Sequence, residues 1–208
     1  MNTEELFGLA PVVPVVVLDD ADHAVPLARA LVEGGLPAIE VTLRTPAAAE
    51  SIERIAAEVP DAVVGAGTVV TARDAERSLK AGARFLVSPG CTPRLRAAMA
   101  DTGLPFLPGV SSASEAMALL EEGVTAMKFF PAEPAGGVPY LKALGGPLPQ
   151  ITFCPTGGIR PGNAAEYLAL PNVGCVGGTW LTPSDAVRAG DWDRIRGLAA
   201  EAAGLRPA

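Results

Sequence analysis

Eight short runs of β-branched and apolar residues alternate with eight longer Ala-, Leu- and Glu-rich stretches along the chain, which is the pattern of repeated β-α units. The predicted strands are Val12–Leu18, Ala38–Leu43, Ala62–Gly67, Phe85–Ser88, Pro105–Leu107, Ala126–Phe130, Ile151–Pro155 and Val173–Gly177. Helices are predicted near His23–Gly34, Thr45–Glu58, Thr71–Ala81, Thr92–Thr102, Ser112–Glu122, Val138–Leu144, Gly162–Leu170 and Pro183–Ala203. Several of them open on Ser, Thr or Pro, as helix starts should. Shared among eight units, 208 residues leave about 26 apiece, enough for a strand, a helix and two tight loops. The expectation is an α/β fold: a single (β/α)8 TIM barrel spanning residues 1–208, with a short N-terminal helix. An open doubly wound sheet is the alternative.

Composition suits this architecture. Hydrophobic residues make up 49% and aromatic residues 5%, so the interior is built from Ala, Val, Leu and Ile, as in a sheet buried beneath helices. A formal net charge of −7 argues against a nucleic-acid binder, which needs a basic field over the phosphates. A local site can still hold a small phosphorylated metabolite. There is no basic segment leading into an apolar signal core and no apolar run of about 18 residues. A cytoplasmic protein with no membrane partner is expected. Cys91, Cys154 and Cys175 are odd in number and lack CxxC spacing, so they read as small buried hydrophobes, neither a disulfide framework nor a zinc site. His23 is the sole histidine, which disfavours a Ser-His-Asp system or a two-histidine metal site.

Lys128 is one of three lysines and lies inside the apolar run Thr125-Ala-Met-Lys-Phe-Phe-Pro131. Strand alternation puts it on one face with Ala126 and Phe130, and Met127 and Phe129 on the other. Burial disfavours the ammonium, and a neutral buried amine can attack a carbonyl carbon to form a Schiff base. A snorkelling or ion-paired lysine at a strand end is the plainer reading. In barrels of this kind chemistry collects at the C-terminal ends of strands. There Glu40 sits inside a mostly apolar strand, with Arg44 just beyond it. Glu40 could move protons beside a Schiff base, and Arg44 could hold a carboxylate through paired hydrogen bonds. A structural ion pair of Glu40 with Arg44 or Lys128 is the alternative.

Thr68 follows Val64-Gly-Ala-Gly67, where small residues permit close approach of a ligand, and Pro89 lies in a turn after the fourth strand. Gly157-Gly158 and Gly177-Gly178, with Thr179 beside the second pair, follow strands seven and eight. Loops at those two positions commonly bind phosphate through backbone N–H groups. Tight turns alone would also explain either glycine pair.

Taken together, these residues resemble the bacterial 2-dehydro-3-deoxy-6-phosphogluconate (KDPG) aldolase/4-hydroxy-2-oxoglutarate (KHG) aldolase family. The blocks that carry the resemblance are Glu40-Val-Thr-Leu-Arg44, Gly65-Ala-Gly-Thr68, Phe129-Phe-Pro-Ala-Glu133 and Phe153-Cys-Pro-Thr-Gly-Gly-Ile159, and it extends from Pro11 to Arg194. The resemblance implies a metal-independent class I aldolase that needs no cofactor, with Lys128 as Schiff-base nucleophile and Glu40 as general acid/base. It implies that Arg44 and Thr68 bind the pyruvyl portion and that Pro89 and Phe130 line the site. By the same resemblance Thr156 senses substrate configuration, while Gly157, Gly158, Gly178 and Thr179 hold the phosphate. The family commonly has Ser where this chain has Thr179; the hydroxyl is retained. The implied reaction cleaves 2-dehydro-3-deoxy-6-phosphogluconate to pyruvate and glyceraldehyde 3-phosphate in the Entner–Doudoroff route, and the implied assembly is a homotrimer. The galactonate epimer and 4-hydroxy-2-oxoglutarate are alternative substrates. A noncatalytic barrel that binds a phosphorylated metabolite is the alternative from another class.

Overall fold

The computed structural model describes residues 1–205; residues 206–208 of the expected domain lie outside them. Its first element, α1 (Thr3–Leu9), is a short helix opened by a reciprocal cap. The Asn2 side chain accepts from Glu5 N–H, and the Glu5 carboxylate accepts from Asn2 N–H. Strands and helices then alternate. The first half comprises β1 (Val12–Val16), α2 (Ala24–Glu33), β2 (Ala38–Thr42), α3 (Ala48–Glu58), β3 (Val63–Gly67), α4 (Ala72–Lys80), β4 (Leu86–Val87) and α5 (Pro93–Ala100). Two short strands follow, β5 (Phe106–Leu107) and β6 (Gly109–Val110), then α6 (Ala113–Glu121), β7 (Ala126–Phe129), α7 (Gly137–Leu144) and β8 (Thr152–Pro155). The chain continues through α8 (Pro161–Leu168), β9 (Val176–Gly178), α9 (Ser184–Ala189) and α10 (Trp192–Ala203).

This is an α/β fold of parallel strands. Six strands pair in the order β5-β4-β3-β2-β1-β9 as a half-barrel, and β6-β7-β8 form a second parallel sheet. Two isolated parallel bridges, Phe153 with Val173 and Thr156 with Gly177, join the β8 and β9 segments. The predicted fifth strand, Pro105–Leu107, is only the first part of what forms. Pro108 has no N–H to offer a ladder, and its carbonyl accepts from Lys128 N–H at 2.9 Å. The chain therefore changes partner at this residue, from β4 before it to β7 after it. The helix predicted over Pro183–Ala203 is two helices. Gly190 takes φ +67° and closes α9, and the Asp191 side chain accepts from Arg194 N–H to start α10. At the helix predicted from His23, a 3-10 turn over Ala21–His23 comes first, capped by Asp20 accepting from Asp22 N–H.

The core has two layers that settle which way each strand residue points. Ile39 and Val41 of β2 pack outward with Ile52 and Ile55 of α3, and burying each of these side chains contributes about 1.5–3 kcal/mol. Met127 and Phe129 of β7 join the same outer layer, while Ala126 belongs to an inner cluster with Val13, Ala38, Phe85 and Cys175. Leu6 of α1, 1% exposed, packs into that inner cluster beside residues from the N-terminal ends of β1, β2 and β7. The interior is filled at that end, and the polar inward residues lie toward the other.

Candidate active site

Anchoring Ile39 and Val41 outward turns Glu40 inward, because successive strand residues face opposite sides. The same rule, through Met127 and Phe129, turns Lys128 inward. The two meet: Lys128 Nζ donates to Glu40 Oε1 at 3.3 Å, with the side chains 5% and 4% exposed. Gly67 makes the room for this, since a Cβ there would stand 2.5 Å from Glu40 Cγ and closer still to Oε1. Lys128 Nζ also lies 5.2 Å from the centroid of the Phe130 ring, whose face attracts a cationic amine. Among the described residues no buried side-chain nitrogen or oxygen lacks a partner. Chemically, the carboxylate is within reach to take or return a proton beside the amine.

Around the pair stand the other predicted residues. Arg44 is exposed just past β2 and its Nε donates to Thr68 Oγ1 at 3.3 Å. It pairs with no carboxylate among the described residues, so the rest of the guanidinium is available to an anion. Thr68 follows β3 with φ +59°, the one non-glycine residue among those described with positive φ. A β-branched side chain in the left-handed region is strained, and such outliers persist where the surroundings enforce them. The sequence marks Thr68 by the small residues before it and carries no sign of this strain. Pro89 backs onto Gly109, where a Cβ would collide with the Pro89 carbonyl carbon and come within 2.6 Å of Gly90 N. Gly109 is in turn the register partner of Lys128.

On the other side of Lys128, its register partner is Cys154 of β8. Two residues on, Thr156 is buried, its hydroxyl donating to Cys154 O at 3.5 Å and occupying space that a side chain on Gly177 would need. Gly157 and Gly158 take φ +99° and +83°, conformations that favour glycine. Among the described residues the Gly158 N–H donates to no backbone or side-chain acceptor, and α8 begins shortly afterwards. Gly178 ends β9 beneath the Trp180 ring, and Thr179 beside it is exposed. The Thr156–Gly177 bridge brings these two glycine loops to the same end of the sheet. Below them the Cys175 thiol is pushed well above the usual range by its hydrogen bond with Cys154, by burial and by the nearby Glu40 charge. All three cysteines are free. A surface hollow of about 820 Å³ between α3 and α4 includes none of these residues.

A buried amine and carboxylate in contact inside a parallel α/β sheet, with an unpaired guanidinium close by in the chain, are the equipment of a lysine-dependent aldolase, a carbon–carbon lyase. Residues 3–198 match the family model for KDPG and KHG aldolase. The 2-dehydro-3-deoxy-phosphogluconate aldolase of Pseudoalteromonas atlantica is 55% identical over 202 residues, covering 97% of this chain and 94% of that protein. The chain belongs to the KDPG and KHG aldolase family. Among solved structures, the KDPG aldolase of Legionella pneumophila, with pyruvate captured at low pH as a covalent carbinolamine intermediate, superposes with a TM-score of 0.95. It is 45% identical, and the match covers 98% of each chain. The 2-keto-3-deoxy-6-phosphogluconate aldolase of Zymomonas mobilis with 3-phosphoglycerate gives a TM-score of 0.92 at 46% identity, covering 99% of this chain and 96% of that one. No helix among the described residues is long and apolar enough to cross a membrane.

Proposed function

We propose that this aldolase cleaves 2-dehydro-3-deoxy-6-phosphogluconate to pyruvate and D-glyceraldehyde 3-phosphate, with Lys128 as nucleophile and Glu40 as general acid/base. The observation that carries the reading is the buried 3.3 Å contact between Lys128 Nζ and Glu40 Oε1. The Lys128 amine adds to the C2 carbonyl, and loss of water from the carbinolamine leaves an iminium. Glu40 accepts the C4 hydroxyl proton as the C3–C4 bond breaks, the bonding pair passes into the iminium as an enamine, and the aldehyde departs. The proton returns to C3, and hydrolysis frees pyruvate and Lys128. The carbinolamine trapped in the Legionella relative supports this course.

Arg44 and Thr68 hold the substrate carboxylate, Pro89, Phe130 and Thr156 line the site, and Gly157, Gly158, Gly178 and Thr179 bind the phosphate. Two observations support the last assignment: the Gly158 N–H, which has no acceptor among the described residues, and the position of the first glycine pair. Gly157 lies three residues beyond the register partner of Lys128, roughly 10 Å along the strand direction, which suits a six-carbon chain ending in phosphate. Turnover of 4-hydroxy-2-oxoglutarate is the second reading, favoured by the family match. It cannot use the phosphate loops and is expected to have the higher KM. The same proposal takes the two sheets as one closed (β/α)8 ring in a single domain, supported by the change of partner at Pro108 and the two bridges from β8. It includes the cytoplasmic homotrimer that the family resemblance implies, which sedimentation equilibrium tests. Borohydride reduction with pyruvate, followed by peptide mass spectrometry, tests the chemistry. An adduct confined to Lys128 is expected, and pyruvate binding without an adduct overturns the mechanism.

A further inference from the structure

Past Lys128, the block Phe129-Phe-Pro-Ala-Glu133 leans on the Gly157-Gly158 pair in a way the chemistry above does not use. Ala132 N–H donates to Thr156 O at 2.8 Å and Glu133 N–H to Gly157 O at 3.0 Å, so the two segments stay hydrogen-bonded beyond the ends of β7 and β8. The Glu133 side chain then fills the space in front of Gly158, where a Cβ would stand 2.5 Å from Glu133 Cγ and 2.7 Å from its Cβ. Its Oε1 accepts a hydrogen bond from the hydroxyl of Tyr167, a fully buried residue of α8. The same helix ties back a second time, through Asn163 Nδ2 donating to Gly158 O at 3.1 Å. Gly158 is thus held between the Glu133 stem and the Asn163 amide, and α8 anchors both.

Two successive glycines have no side chains with which to fix their own N–H directions, and they lose more freedom on ordering than any other residue. We propose that Glu133, braced by Tyr167, is a positioning residue that aims the Gly157 and Gly158 N–H groups at the terminal phosphate of the substrate. This rests on the phosphate reading of that loop. Glu133 acts without touching the phosphate: its carboxylate is turned toward a phenol, which absorbs its charge in a hydrogen bond. Burial and Glu133 itself both push the Tyr167 phenol upward, so it remains a donor across the neutral range.

The test compares Tyr167→Phe, Glu133→Ala and Glu133→Gln in steady-state kinetics on 2-dehydro-3-deoxy-6-phosphogluconate and on unphosphorylated 4-hydroxy-2-oxoglutarate, with inorganic phosphate as inhibitor. Tyr167→Phe and Glu133→Ala are expected to raise KM for the phosphorylated substrate, and the phosphate inhibition constant, about tenfold, the effect of losing one hydrogen bond. kcat, and both constants for the unphosphorylated acid, stay within about twofold. Glu133→Gln keeps an oxygen for Tyr167 and stays near wild type. Equal losses on both substrates, or no change on either, overturn the positioning role. If inorganic phosphate fails to inhibit the wild type, the phosphate reading falls and this inference with it. Inhibition of the wild type that persists unchanged in Tyr167→Phe and Glu133→Ala overturns the positioning role alone.

Discussion

Lys128 and Glu40, 88 positions apart in the chain, meet at 3.3 Å with their side chains 5% and 4% exposed. Removing one partner of such a buried pair strands the other's charge, at a cost of about 3–5 kcal/mol. Their proximity therefore bears on both stability and chemistry, and substitutions must separate the two.

Glu40→Gln makes that separation because it keeps the shape and removes the proton acceptor. Turnover is expected to fall by about 10²- to 10⁴-fold, while borohydride still traps pyruvate on Lys128. Lys128→Met is expected to abolish the adduct altogether. Mass spectrometry alongside steady-state assays reads both, and a Glu40→Gln enzyme with unchanged turnover would remove Glu40 from the proton path.

Gly67→Ala tests the space that lets Glu40 face inward. The added methyl would stand 2.5 Å from Glu40 Cγ and must push the carboxylate away from Lys128. A misplacement of about 1 Å near the reacting atoms lowers turnover about 100-fold, and overpacking costs about 1–3 kcal/mol. Urea denaturation and kcat measured on the same preparation check the two together. A variant with wild-type kcat would mean that Glu40 can move without consequence.

Much of this arrangement was legible because charges in apolar strands are conspicuous. Lys128 and Glu40 stood out on that ground, and strand alternation gave the correct faces for Ala126, Met127 and Phe129. What stayed hidden depends on three-dimensional fit. Gly67 reads in sequence as an opening for a ligand, yet the chain's own Glu40 fills the space. The positive φ of Thr68 and the Tyr167 hydroxyl on Glu133 have no local signature, because each is enforced by neighbours distant in sequence. The change of strand partner at Pro108 and the helix break at Gly190 turn on single residues inside segments whose overall pattern reads as continuous.

Arg44→Lys tests the guanidinium. Lysine keeps the positive charge but loses the planar fork and the Nε donor that reaches Thr68 at 3.3 Å. Losing a charge-assisted hydrogen bond costs about 1.5–3 kcal/mol, so the KM for the 2-keto acid is expected to rise about tenfold or more. The pyruvate concentration needed for half-maximal borohydride inactivation should rise in parallel. An unchanged half-maximal concentration would place the substrate carboxylate elsewhere.

Cys91 and Cys175 should be slow nucleophiles. Burial raises the Cys91 thiol despite the opposing charge of Arg96, and the hydrogen bond with Cys154, burial and nearby charge hold Cys175 well above the usual range. A raised value means less thiolate at a given pH, and the thiolate is the reactive form. At pH 8, half-buried Cys91 is expected to react with Ellman's reagent at least about tenfold more slowly than free cysteine, and Cys175 only after unfolding. Rapid modification of Cys175 in the folded enzyme would contradict its burial.

Tyr167 gives the alkaline limb of stability its sign. Burial and the Glu133 hydrogen bond raise the phenol above its ordinary range, so the folded protein holds this proton more tightly than the unfolded chain does. Below the unfolded value of about 10 both states are protonated and the contribution is fully present. Above it the unfolded chain ionises first, and the contribution is lost as pH rises toward the folded value, with a slope from this group of at most about 1.4 kcal/mol per pH unit. Tyr167→Phe has no such proton to lose, so its urea midpoint is expected to fall less steeply above pH 10 than that of the wild type. Parallel curves would mean that Tyr167 ionises as readily in the folded protein as in the unfolded chain, which its burial against Glu133 does not allow.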